Sequence, residues 1–93
     1  MSPLHHTAIP LPDVVDAPLD EGETALLHLG TRTYFSLNRT GTRIWEHLKQ
    51  KRSLEEVSRL IHAEFDVGLD EARRSVVRIV EVLAEHHLVD APR

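Results

Sequence analysis

The 93-residue chain contains no cysteine. That excludes disulfides, a thiolate nucleophile and any Cys-ligated metal, and it suits a reducing compartment. Aromatic residues are also scarce, with one Trp, one Tyr and two Phe. No apolar run exceeds four residues, so nothing in the sequence reads as a bilayer-spanning segment. Met1–Leu4 offers neither a basic start nor a long apolar stretch, so no signal peptide is expected, and the cytoplasm is the expected location. A basic excess is missing too: net charge is −4 with histidine neutral, which argues against a nucleic-acid partner. Seven histidines make that charge soft, since protonating all of them takes −4 to +3.

The motifs of catalysis and cofactor binding are equally sparse. No G-x-x-x-x-G-K-[ST] or G-x-G-x-x-G occurs, and no serine or histidine stands in a nucleophile-elbow setting. A non-catalytic protein with no cofactor is expected. Adjacent residues point apart on a strand or helix, so His5-His6 and His86-His87 do not form metal sites. His62 stands alone, and His47 is placed on the outer side of its helix.

What is present begins with an arm. Residues 1–20 carry Pro3, Pro10, Pro12 and Pro18 and are read as an N-terminal arm with one short strand. Residues 23–37 read as a hairpin, turning at Gly30-Thr31. In its second strand Thr33, Phe35 and Leu37 share one face, turned toward the helices, while Tyr34 and Ser36 share the other. Three helices follow, at 39–49, 53–65 and 70–87. Asn38 suits the first N-cap, and Ile44, Trp45 and Leu48 form its inward stripe. Gly41 in its first turn implies close packing on the sheet. Ser53 and Glu56 form a capping box for the second helix, whose buried stripe is Val57, Leu60, Ile61 and Phe65. Gly68 reads as a left-handed stop for that helix and Asp70 as the cap of the third. Asp90–Arg93 is expected to fray. The result is one α+β domain, 1–93, of winged helix-turn-helix type: a three-stranded antiparallel sheet followed by three helices.

The third helix carries apolar residues over an arc of about 220°, against the roughly 100° that packing on a small core requires. One flank, Arg73, Val77, Val80 and Ala84, is therefore free to line a groove beside the open strand, with Arg74 and Arg78 further round. A groove beside an open strand edge suits an extended peptide taken up by strand addition. Expected contacts are Arg32, Thr33, Tyr34, Phe35, Ser36 and Leu37 on the strand, and Arg73, Arg74, Val77, Val80 and Ala84 on the helix, the arginines meeting an acidic peptide residue. Burial of the helix on both sides is the plainer alternative. A winged-helix DNA-binding regulator is another, weakened because Asp70, Glu71 and Glu81 offset Arg73, Arg74 and Arg78.

The run Y-F-S-L-N-R-T-G-T-R-I-W-E-H-L, then S-L-E-E-V-S-R-L-I, then a helix ending V-L-A-E-H-H-L-V resembles the PqqD-like family. Leu37-Asn38, Thr40-Gly41, Ile44-Trp45, Val57 and Leu60 carry the resemblance, which covers about Glu21 to Asp90. These domains are RiPP recognition elements, which hold the leader of a ribosomally made precursor by adding a strand beside the third helix. The hairpin L-H-L-G-T-R-T-Y-F-S-L-N looks most like the stand-alone B1 proteins of lasso peptide pathways. Where the family often has an Asp-Val pair early in the last helix, this chain has Ser75-Val76. The resemblance implies a precursor leader peptide as partner, together with a B2-type cysteine-protease leader peptidase and an ATP-dependent cyclase. A peptide chaperone of another modified-peptide pathway is the alternative within the family.

Overall fold

The computed structural model describes residues 7–90. Its elements run β1 (Ile9–Pro10), β2 (Val14–Pro18), a single 3-10 turn (Asp20–Gly22), β3 (Thr24–His28), β4 (Thr33–Leu37), α1 (Arg39–Lys49), α2 (Leu54–Glu64), α3 (Leu69–Glu85) and β5 (Val89–Asp90). This is the α+β, winged-helix-like arrangement expected from the sequence. The three-stranded antiparallel sheet has the order β2-β3-β4. The register sets Val15 opposite Leu27 and Leu27 opposite Tyr34. Among the described residues, no helix is long and apolar enough to cross a membrane.

Alternation decides which side of the sheet meets the helices. Thr24, Leu26 and His28 of β3 are buried, while Leu27 is exposed. On β4, Leu37 is buried, Thr33 and Phe35 are half-buried, and Tyr34 is 63% exposed. Leu26 and Leu37 join Ile44, Trp45 and Leu48 of α1, Val57 and Ile61 of α2, and Val76, Val80 and Leu83 of α3 in one core. Fully burying each such side chain is worth about 1.5–3 kcal/mol.

Local chemistry explains most helix ends. Asn38 Oδ1 accepts the Gly41 N–H at 2.8 Å and starts α1. Gly41 is buried, and a Cβ there would meet Leu37 Cδ2 at 3.2 Å, so only glycine lets the first turn settle on β4 without displacing Leu37. Ser53 and Glu56 form the reciprocal capping box on α2. The connection to α3 departs from expectation. Gly68 is extended (φ −66°) rather than left-handed, and it is the N-cap of α3, so Asp70 lies inside the first turn. There its carboxylate still suits the positive end of the helix dipole.

Two further corrections concern the flanks of the bundle. His47 is not on an outer face: it is 4% exposed, and its Nε2 lies 3.0 Å from Glu64 Oε2 at the end of α2. Its Nδ1 is buried without a hydrogen-bond partner. Arg43 clamps the same Glu64 through Nε (2.8 Å) and Nη2 (3.2 Å), and these bonds, with a smaller contribution from His47, hold its carboxyl below the usual range. Asp90 does not fray, because it pairs with Ile9 in a second small sheet, β1 with β5. His5-His6 and residues 91–93 lie outside the described residues. On the far side of α1, Asp16 of β2 accepts from Trp45 Nε1 at 2.7 Å and from Lys49 Nζ at 2.8 Å. Lys49 foremost, then Trp45, keeps the Asp16 carboxyl below its ordinary value.

Candidate peptide-binding site

β4 is an edge strand: β3 occupies one side, and among the described residues no strand pairs with the other. Residues 33–37 therefore present a row of main-chain donors and acceptors along an unpaired side. Beside this edge, at its Leu37 end, lies a cleft of about 340 Å³ lined by Glu23, Phe35, Ser36, Leu37, Asn38 and Ile79. Phe35, Leu37 and Ile79 give it an apolar floor. Leu37 is held from behind by Gly41, and Phe35 stands 5.3 Å, centroid to centroid, from the ring of His86 just past α3. His86, just past the end of α3, stands against Phe35, and Ile79, farther back along α3, lines the cleft with Phe35 and Leu37.

The structure divides the residues expected to form this site. Thr33, Tyr34, Phe35, Ser36 and Leu37 form the open strand. Arg32 does not belong to it: its φ is +60°, and its N–H is spent on the His28 carbonyl at 2.7 Å in the hairpin turn. The expected helical residues Arg73, Arg74, Val77, Val80 and Ala84 do not line this cleft. Val77 lies about 200° from Ile79 around the helix, almost directly opposite. Arg73 turns toward α2, where Nε and Nη2 donate to Glu55 at 3.0 and 2.8 Å, and Nη1 donates to Asp70 at 3.1 Å. Val80 is 5% exposed and belongs to the core, Ala84 packs against that core, and Arg74 is exposed outside the cleft lining. Ile79 is the α3 residue that lines the cleft, and it is not among the helical contacts expected from the sequence. Ile79 lies within the apolar arc, about 60° inside its Val82 border. Nothing local said which border faces the sheet.

Two features limit the chemistry of the region. No cluster of three or more His, Cys, Asp or Glu that could hold a metal occurs among the described residues. The cleft lining offers a hydroxyl, an amide and one carboxylate around an apolar floor.

The family described as coenzyme PQQ synthesis protein D (PqqD) matches residues 23–89. The chain belongs to the PqqD family. The matched span begins at the cleft residue Glu23 and includes β4, all three helices and Ile79. Two solved structures are similar to this PqqD-family chain. TbiB1, solved in complex with the TbiA(beta) leader peptide, is 34% identical with a TM-score of 0.84, covering 91% of this chain and 98% of that one. A lasso peptide synthetase B1 complexed with the leader peptide is 25% identical with a TM-score of 0.80, covering 89% of this chain and 96% of that one. No curated protein matches the chain.

Proposed function

We propose that this PqqD-family protein is a RiPP recognition element of a lasso peptide pathway. It captures the leader of a precursor peptide by strand addition to β4 and presents the precursor to a separate B2-type leader peptidase and an ATP-dependent cyclase in the cytoplasm. The observation that carries the reading is the unpaired side of Thr33–Leu37 running beside an apolar-floored cleft. The likeness to a B1 protein solved with its leader supports the same reading.

The energetics assign the roles. About four new backbone hydrogen bonds at ~1 kcal/mol each give ~4 kcal/mol. Ordering five peptide residues costs ~5–10 kcal/mol. Main-chain pairing alone therefore fixes register without holding the ligand. Two apolar side chains buried against Phe35, Leu37 and Ile79 add ~3–6 kcal/mol, so the side-chain anchors decide affinity. The β4 contacts proposed from the sequence, Thr33 to Leu37, are kept. On α3 the contact passes from the Val77 flank to Ile79. Catalysis is left to the partners.

The direct test is titration of a fluorescein-labelled TbiA(beta) leader peptide, read by fluorescence polarisation, with amide hydrogen exchange on the bound protein. Saturable binding with new protection confined to alternate amides of 33–37 supports strand addition. Binding without new protection in β4 overturns it.

A further inference from the structure

The charge of the captured segment follows from the lining of the cleft, given the strand-addition reading above on which this inference rests. Among the described residues, the one charged side chain lining the cleft is Glu23. It is exposed, and it has no ion-pair partner among those residues. Asn38, on the same rim, has its side-chain oxygen committed to the Gly41 N–H. The basic groups of the region form no ion pair with Glu23, although Arg39 packs on Gly22, the residue before it. Arg39 lies over Gly22, its Cγ 3.3 Å from where a Gly22 Cβ would stand, and lines a separate hollow with Glu21. Arg73 is held by Glu55 and Asp70, while Arg74 and Arg78 are exposed outside the lining.

A ligand seated here therefore meets an apolar floor ending in an unneutralised carboxylate. We infer that the captured segment carries a lysine or arginine that donates to Glu23, placed on the N-terminal side of its apolar anchors. The sign is the reverse of the acidic residue expected opposite Arg73 and Arg74. The polarity follows from the sheet. Both existing ladders are antiparallel, and sheets of one sense throughout are favoured, so an added strand runs opposite to β4. Its N-terminal part then lies at the Leu37 end, and Leu37 is in register with Thr24, the residue after Glu23.

The experiment is a positional scan of the labelled TbiA(beta) leader peptide, each residue replaced in turn by Lys and by Glu, titrated into the wild-type protein and its Glu23→Gln and Glu23→Lys variants. An exposed ion pair of this kind shifts affinity about two- to fivefold. The expected result is one position, N-terminal to those where substitution abolishes binding, at which Lys binds about two- to fivefold tighter than Glu. Glu23→Gln erases that preference, Glu23→Lys inverts it, and raised salt flattens it. A scan with no position sensitive to Glu23, or with that position C-terminal to the anchors, overturns the inference. Ile79→Ala separates the two levels. If it weakens binding while the scan is flat, only the charge inference falls. If it binds as the wild type does, or the wild type does not bind the leader at all, leader capture in this cleft falls and the inference falls with it.

Discussion

Replacing Ile79 by alanine tests the side of α3 that faces the ligand. The substitution removes three carbons, worth about 2.4 kcal/mol at ~0.8 kcal/mol per buried CH₂. Ile79 is already half-buried in the free protein, so about half of that, ~1.2 kcal/mol, is gained only when a ligand covers it. Leader affinity should then fall roughly sevenfold to tenfold. The other half appears as folding stability, about 1 kcal/mol, which leaves the fold intact. Val77→Ala removes two carbons from the opposite side of the same helix and is the matched control, with leader affinity changed less than about twofold. The assay is fluorescence polarisation with labelled TbiA(beta) leader, alongside circular dichroism and urea unfolding of each variant. A larger loss from Val77→Ala than from Ile79→Ala, in two folded proteins, would refute the assignment of the cleft and restore the flank chosen from sequence.

Gly41→Ala drives a Cβ toward Leu37 Cδ2 at 3.2 Å and so crowds the cleft floor. Leader titration should show weaker binding, while the ~1 kcal/mol gain in helix propensity offsets part of the packing cost in urea unfolding. For Asp16 the sign follows from its depressed carboxyl: the stabilisation is present above about pH 4 and disappears as pH falls through the folded-state value. Asp16→Asn should therefore lower stability by about 1 kcal/mol at pH 7 and by almost nothing at pH 2.5, and urea curves showing an undiminished gap at pH 2.5 would contradict this. Ser53→Ala removes the cap of α2 and should lose about 1 kcal/mol of stability with unchanged leader affinity, since α2 does not line the cleft. A parallel loss of binding would mean that α2 and the cleft are coupled.

The parts of this fold legible in the sequence are those fixed by short-range rules. Asn38 and the Ser53–Glu56 box announce helix starts whatever lies around them, and alternation from Thr33 to Leu37 fixes which side chains point inward. Gly41 signalled a close approach for a steric reason that needs no tertiary knowledge. Short-range rules do not settle a choice that depends on a distant element. A helix apolar over more than half its circumference has two borders, and only the placement of α2 shows that Arg73 goes to Glu55 and Ile79 to the sheet. His47 read as outward because its own helix already had an inward stripe, but Glu64 and the packed end of α2 enclose it. Gly68 has two conformational uses, ending one helix or beginning the next, and the sequence favours neither.

The two outer strands of the sheet are protected unequally. β2 carries Pro18 and Asp16, which discourage a neighbouring chain from docking, whereas β4 from Thr33 to Leu37 has no proline and no charge. An edge kept bare for a ligand is equally bare to a second copy of itself. Empty protein at high concentration should therefore form edge-to-edge pairs that leader peptide dissolves, which makes colloidal behaviour a reporter of occupancy.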